Sequence, residues 1–571
     1  MPLTTRRAAR ALASAVLAAG LAAASALPAI AAGPDGQDAS VRPTSSGITL
    51  GTGPVSVSVV APLTLPPSTS GLVSADDLAR YTGPFGALTR QLDAVAGTPA
   101  AIALDPMILA SIRVLGSAAP ESATQWLARL EALSNETFLL AYADADVAAA
   151  ARTETLGDLE PSGFGFALDE AAFSPAETPA PTPTPTSTTP AEPADPDAAP
   201  PFPTTDDILA WSSTLPRIAW PSADVGAEDL AALAAAGYED VIVPSSRVSG
   251  PDAPLVAFDG IRGIVADDEL SALLADATSA ASPELRADAL GALDARFAAE
   301  SAAHPGRGLV LTLERAWPYA QPGLPETLAL LASTTSASFV ALSDILETTP
   351  TPARLAAGAD TEERDSVFAS LTDDAAAERA FATVLDDPAE LLDSRRLDRI
   401  ALYSLSWTDD ASGWSDAVEA FRARSAEILD SVKLEQGSDV ALLAHNANVK
   451  VAVSNALPFP VTVRVSIDPR SPILRAMESK LLTVEPESTS TALMPVEAVA
   501  NGEVVVLTSI TSQTGVPIDE GHASIAVHAE WEGIGTLAVV IVLALIVVAG
   551  VLRIVITRRA QRRRVREEQG G

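Results

Sequence analysis

Residues 55–65 read VSVSVVAPLTL, an apolar run with too few polar positions for a strand that shows one face to water. Continuous runs of this kind belong to strands buried on both faces, as in parallel sheets. Seven further stretches follow the same pattern, namely AAIALDP from Ala100, TFLLAYAD from Thr137, RIAWPS from Arg217, DVIVPSS from Asp240, IRGIVADD from Ile261, GLVLTLER from Gly308 and SFVALSD from Ser338. Between them lie amphipathic, alanine- and leucine-rich segments such as SADDLARYTGPFGALTRQLDAVAG and GAEDLAALAAAG. The second opens with two acids in its first turn and closes on Gly237, as a helix should. Strand–helix alternation of this length predicts an α/β fold, and about eight strands suggest a degenerate (β/α) barrel. An open doubly wound sheet is the alternative, because strand count alone does not establish closure.

Working outward, residues 48–173 and 204–436 form the two parts of this α/β region. Ser174 to Pro203 interrupts it with eleven prolines in thirty residues, which predicts an extended, disordered linker without a core. The linker is inserted after the third strand if one barrel is formed, or separates two smaller α/β domains if not. From Gly437 to Trp531 the period changes to strict alternation: KVAVSN, VTVRVSID, ILRAMESKLLTV, STALMPVEAV, GEVVVLTSITS and ASIAVHAEW. Half-buried strands with turns at Asn455–Pro458 and Asn501-Gly502 predict an antiparallel, immunoglobulin-like sandwich, in which Val504–Ile510 pairs with Ser524–Trp531.

Both ends carry targeting signals. Residues 1–31 hold Arg6, Arg7 and Arg10, then an apolar run from Ala11, then Ala29-Ile30-Ala31, the pattern of a cleaved secretory signal peptide. Residues 533–552 contain no charge, and twenty helical residues at about 1.5 Å each match a bilayer core of about 30 Å. Arg553, Arg558, Arg559, Arg562, Arg563, Arg564 and Arg566 follow, a basic flank that stays on the cytoplasmic side. The expected protein is a single-pass cell-membrane protein with its bulk extracytoplasmic and residues 553–571 as a cytoplasmic tail.

The formal net charge is −36; the signal region contributes +3 and the tail +5, leaving −44 for the rest. So acidic a body repels nucleic acid and anionic lipid headgroups, and neither is expected as its partner. With no cysteine there is no disulfide, thiolate catalysis or lipid-modified anchor.

The segments VAVSNALPFPVTVRVSIDP, LLTVEPESTSTALMPVEAVANGEVVVLTSITSQTG and AEWEGIGTLAVVIV with its basic tail resemble the carboxyl end of an actinobacterial family of uncharacterised secreted or single-pass membrane proteins. The strands VAPLTLP and AIALDP, with WPSADVGAEDLAALAAAGYEDVIVPSS, are similar to that family too. Its members are often encoded beside a lipid II flippase, so the resemblance implies a role in cell-envelope assembly. It carries no established activity and no catalytic residues.

In a (β/α) barrel, reacting groups sit where strands end. The acids there are Asp105, Asp144, Asp146, Asp267, Asp268, Glu314 and Asp344. Two carboxylates across a cleft would serve a glycosidase as acid and nucleophile; Glu314 and Asp267 are the pair singled out, with Asp105 third and Trp317 placed to stack on a sugar. Aspartate at these positions is equally the cap of the next helix. Of four histidines (His304, His445, His522 and His528) one lies in the α/β part, before a strand, so no metal site is expected. No phosphate loop or nucleophile elbow is present and no cofactor is expected. The leading expectation is therefore a non-catalytic binding or scaffold role in cell-envelope or peptidoglycan assembly, with envelope proteins or glycan as partners. A carbohydrate-active hydrolase is the competing one.

Overall fold

A computed structural model of the chain describes residues 53–173, 202–315, 322–359, 361–435, 440–528 and 532–567. The signal region, all but the last two residues of the proline-rich segment, and Trp317 lie outside the described residues.

Each of the eight apolar runs contains a strand: β1 Val55–Leu63, β2 Ala101–Leu104, β3 Thr137–Leu139, β4 Ile218–Ala219, β5 Asp240–Pro244, β6 Arg262–Ala266, β7 Gly308–Thr312 and β8 Ala337–Phe339. Seven of them pair in parallel in the order β4-β5-β6-β7-β1-β2-β3. This is a circular order cut once, between β3 and β4, and it makes a half-barrel rather than a doubly wound sheet, whose order would reverse about a switch point. β8 joins the start of β1.

Both faces of this sheet are apolar. Val57, Val59, Ile102, Leu104, Val241, Val243, Leu309 and Leu311 pack outward against helices. Residues of opposite parity (Val60, Ala101, Ala103, Phe138, Leu140, Ile242, Ile264 and Val310) fill the concave side. Opposed faces of one strand belong to successive residues, so a strand buried twice must be apolar continuously.

Helices α1 Pro106–Arg113, α2 Val147–Arg152 and α3 Asp268–Ser279 each start at the end of a parallel strand or its loop. Three more, α4 Glu362–Phe381, α5 Ala389–Leu402 and α6 Ala411–Leu429, follow the last parallel strand. Phe368, Leu371, Leu397 and Tyr403 join the core of the half-barrel, while Phe381, Val384 and Ile428 join the core of the terminal sheets. The helical layer thus bridges two cores.

The terminal sheets contain β9 Val432–Leu434, β10 Val440–Leu442, β11 Asn446–Asn455, β12 Val461–Pro469, β13 Leu474–Ala476, β14 Lys480–Val484, β15 Ser488–Ala498, β16 Gly502–Ser512 and β17 Pro517–Val527. One sheet has the order β9-β11-β15-β13 and the other β10-β17-β16-β12-β14. Val504–Ile510 pairs with the last strand, as expected, but that strand is Pro517–Val527 rather than Ser524–Trp531, and the partners run from Ile525 opposite Val504 to Asp519 opposite Ile510. The stretch ILRAMESKLLTV, expected as one strand, is two: Leu474–Ala476 pairs with β15 and Lys480–Val484 with β12. The polar turn at Glu478-Ser479 lets the chain cross between sheets. Both sheets turn valines, Met494 and Ile525 into one shared hydrophobic cluster.

Helix α7, Glu532–Glu567, contains a stretch Leu537–Arg559 long and apolar enough to cross a membrane, none of it buried against the protein.

Candidate functional site

Chemistry in such a fold belongs at the strand ends, and three of them converge on one cluster. Asp105 ends β2 and caps α1: its Oδ1 accepts from the Met107 backbone N–H at 2.9 Å, with Pro106 occupying the first helical position. The same oxygen accepts from the N–H of Ala143 at 2.9 Å. One carboxyl therefore joins the end of β2 to the loop after β3. It is 1% exposed, and burial, opposed by the backbone donors and reinforced by the charge of Asp144, pushes its pKa up to about 8.

Ala143 and Asp144 are successive non-glycine residues in the left-handed region, at φ 58° and 49°. Each such residue costs on the order of 1 kcal/mol or more and persists only where its surroundings hold it. Here the holders are the Asp105 carboxyl on one side and Arg315 on the other. Arg315 Nε lies 3.0 Å from Asp144 Oδ1, and Asp144 is 3% exposed. Burial raises the Asp144 pKa to about 6 even against the opposing pull of Arg315.

Arg315 follows β7 and reaches across the mouth. Its guanidinium donates to the carbonyl oxygens of Trp220 and Pro221, after β4, and stacks 4.5 Å over the Trp220 ring. The Thr64 hydroxyl, beyond β1, donates to the Arg315 carbonyl at 3.0 Å. A single side chain thus pins the ends of β3 and β4, the two strands that do not pair. Sequence reasoning stopped at Glu314 and passed over its neighbour. The available signal was an arginine immediately after an apolar strand, opposite an acid in the equivalent place on another.

Of the other expected residues, Asp146 lies close enough for its charge to add to the raised Asp144 pKa; the rest do not assemble around this cluster. Glu314 is exposed. Asp267 caps α3, accepting from Leu270 N–H at 2.9 Å, and Asp268 accepts from Ser246 N–H. Asp146 caps α2 through the Ala148 and Ala149 N–H groups, and Asp344 accepts from Ala341 N–H. Helix capping accounts for Asp267, Asp146 and Asp344, and a tie to the loop after β5 for Asp268, without any reaction.

Helical residues cover the cluster. The Asp146 N–H donates to the Tyr403 carbonyl at 2.9 Å, the Tyr142 hydroxyl donates to Gly71 O at 2.6 Å, and Arg152 grips Asp365 of α4 with two nitrogens while also pairing with Asp229. Gly71 lies so close to α5 that a Cβ there would meet the Leu397 Cβ at 2.4 Å. Beside Asp105 a hollow of only about 10 Å³ is left, room for about one water. The larger cleft, about 670 Å³, opens instead at the break between β3 and β4, lined by Leu139, Tyr142, Leu159, Leu215, Arg217 and Tyr238 among others. A sealed pair of acids, Asp144 matched by Arg315 and Asp105 bonded to backbone N–H groups, holds strand ends together; the cleft, apolar with a few polar groups, suits binding.

Similarity to known proteins is distant. The α-amylase AmyC of Thermotoga maritima matches 66% of this chain and 93% of its own, at 10% identity and TM-score 0.40. The α-2-macroglobulin of Salmonella matches 17% of this chain and 7% of its own at 20% identity and TM-score 0.14. The CupB2 chaperone of Pseudomonas aeruginosa matches 16% and 54% at 16% identity and TM-score 0.13. No curated protein matches the chain. Residues 36–562, which take in the half-barrel, the helical layer, both terminal sheets and the apolar helix, match a single family, and the chain belongs to it: the family of unknown function DUF6049.

Proposed function

We propose that the protein is a single-pass cell-membrane protein that acts without catalysis, as a binding or scaffold component of cell-envelope or peptidoglycan assembly. Residues 1–31 are its signal peptide, the body up to Glu532 is extracytoplasmic, and the arginines from Arg553 onward hold the tail in the cytoplasm. In this reading the half-barrel is a degenerate (β/α) barrel, the terminal sheets are an immunoglobulin-like sandwich next to the membrane, and the cleft at the β3–β4 break receives an envelope protein or glycan. The location rests on the apolar helix and its basic flank; the pathway rests on the family resemblance alone.

The observation that carries the non-catalytic reading is the state of the strand ends. Phe138, Ile242, Ile264 and Val310 fill the concave side, and Arg315 neutralises Asp144 where a glycosidase would hold sugar between two free carboxylates. The competing reading, a carbohydrate-active hydrolase, draws on the raised pKa values of Asp105 and Asp144, since such acids are the usual proton donors.

Three measurements test the proposal. Capture from membranes with the full chain, but not with a chain ending before Gly437, is the expected result for an anchored scaffold. Glycan turnover by the full chain that disappears in Asp144→Asn would overturn it in favour of the hydrolase. Protease added to intact protoplasts should degrade the body and spare the tail; the reverse would invert the topology.

A further inference from the structure

An arginine cluster in the helical layer stands out in so acidic a chain. Arg395, Arg396 and Arg399 fall within five residues of α5, and with Arg379 of α4 they line a hollow of about 310 Å³ whose other charged residues are Glu378 and Asp393. That volume is at the lower end of small-molecule pockets, about 300–1,000 Å³.

The four arginines are not equivalent. Arg395 is fully engaged: it donates to Glu378 Oε1 at 2.9 Å, to Ser425 Oγ at 2.8 Å and to the Phe421 carbonyl at 3.2 Å, and it stacks on the Phe421 ring. Asp393 is engaged as well, accepting from Ser162 Oγ at 2.6 Å. The remaining arginines are under-partnered. Arg396 donates to the Gly157 carbonyl at 2.6 Å and lies 3.7 Å from Asp158, and Arg399 lies 3.9 Å from the same carboxylate and beside the Tyr403 hydroxyl. These separations from Asp158 are too long for hydrogen bonds. The Nε atoms of Arg396 and Arg399 are buried without a hydrogen-bond partner, and Arg399 is only 3% exposed. Arg379, exposed at the rim, forms no ion pair with any described residue.

Buried guanidinium nitrogens left unpaired are costly. Two guanidinium groups sharing one loosely held carboxylate, with a third at the rim holding none, form an incomplete charge set. Burial, together with the charges of Arg399 and Arg379, pulls the Arg396 pKa below its ordinary value. A compact anion with several acceptor oxygens would relieve all three. A phosphate group fits best, since guanidinium forks match its oxygens two at a time.

We propose that the hollow formed by Arg379, Arg396 and Arg399 binds a phosphate group, presented either by a free phosphate or diphosphate or by an anionic lipid headgroup. The site stands apart from the strand ends, so it holds whether or not those ends are catalytic.

The test uses the detergent-solubilised full chain, titrated calorimetrically with inorganic phosphate and pyrophosphate at constant ionic strength, and in parallel by flotation with phosphatidylglycerol or phosphatidylcholine vesicles. Saturable binding of phosphate or pyrophosphate, weakened at least about tenfold by Arg379→Ala and by Arg396→Gln and unchanged by Arg424→Ala, identifies a free anion as ligand. Preference for phosphatidylglycerol vesicles that those two variants lose, without binding of the free anions, identifies the headgroup. Absence of both, or binding that Arg379→Ala, Arg396→Gln and Arg424→Ala leave alike, overturns the proposal. Arg379 is exposed, so its replacement leaves the fold intact, and unchanged circular dichroism of each variant verifies that loss of binding is not loss of structure.

Discussion

Strands β1 and β16 are both rich in valine, yet they live under different rules. In β1 every residue except Ser56 is buried, because helices cover one face and the concave cluster covers the other. In β16, Val504, Val506 and Ile510 are buried while Val505 between them is 50% exposed. A sheet buried twice has no free face on which to carry function, so only its strand ends can. In this protein those ends are closed by Arg315 and by the helical layer. The terminal sheets keep a solvated face and a single core, which suits a support more than a site.

The contrast can be broken most severely at the strand ends. Arg315→Ala should leave Asp144 buried without its cation and destabilise the half-barrel by about 3–5 kcal/mol. Asp144→Asn placed in the same chain should return much of that loss, and urea unfolding of the solubilised protein would show it. An unchanged midpoint in Arg315→Ala would mean that the clamp holds nothing.

Of similar size is the difference between faces. Phe138→Ala, on the concave side, should cost about 3–5 kcal/mol, whereas Val505→Ala on β16 should stay within about 0.5 kcal/mol. Comparable losses at the two positions would erase the difference between a strand buried twice and one buried once.

Asp105 sharpens the comparison through pH. Its pKa is raised from 3.8 to about 8, so the neutral carboxyl contributes its full stability below about pH 4. That contribution is lost as pH climbs through about 8, by about 1.4 kcal/mol per pH unit over the interval. Asp144, raised to about 6, adds the same sign over a shorter span. Asp105→Asn should therefore gain on the parent protein as pH rises from 5 to 8, read from unfolding midpoints at each pH; a constant difference would mean the carboxyl is not held neutral.

The smallest effect is at Ala143. Its φ of 58° suits glycine, so Ala143→Gly should be neutral or stabilising by up to about 1 kcal/mol, visible as a small rise in thermal midpoint. A loss beyond that would show the methyl group to be a packing contact.

Sequence reading locates the parallel strands because burial on both faces forces continuous apolar runs, a local property of the chain. It locates most of the terminal strands by alternation, but not all. Val432–Leu434 reads as the end of a helix in the 204–436 region and Val440–Leu442 is too short to show a period, yet both are strands of the terminal sheets. ILRAMESKLLTV has the composition of one strand, its division between two sheets being set by partners far along the chain. The acids at strand ends are equally legible, but their roles are not. Asp105, Asp146 and Asp267 have the same local setting, an aspartate before a helix, and each caps that helix. What separates Asp105 is a backbone N–H from the loop after β3, and what separates Asp144 is an arginine 171 residues away in the chain.

The sequence by itself determined the eight apolar strand segments of the half-barrel, most of the alternating strands after them and the twenty residues greasy enough for a bilayer, since each of those follows from the periodicity of neighbouring side chains. Only the tertiary structure decided that β3 and β4 stay apart, that Arg315 spans their ends, and that two arginines of the helical layer share one carboxylate beside a third that has none. Those facts depend on distances between residues far apart along the chain, and no local pattern encodes them.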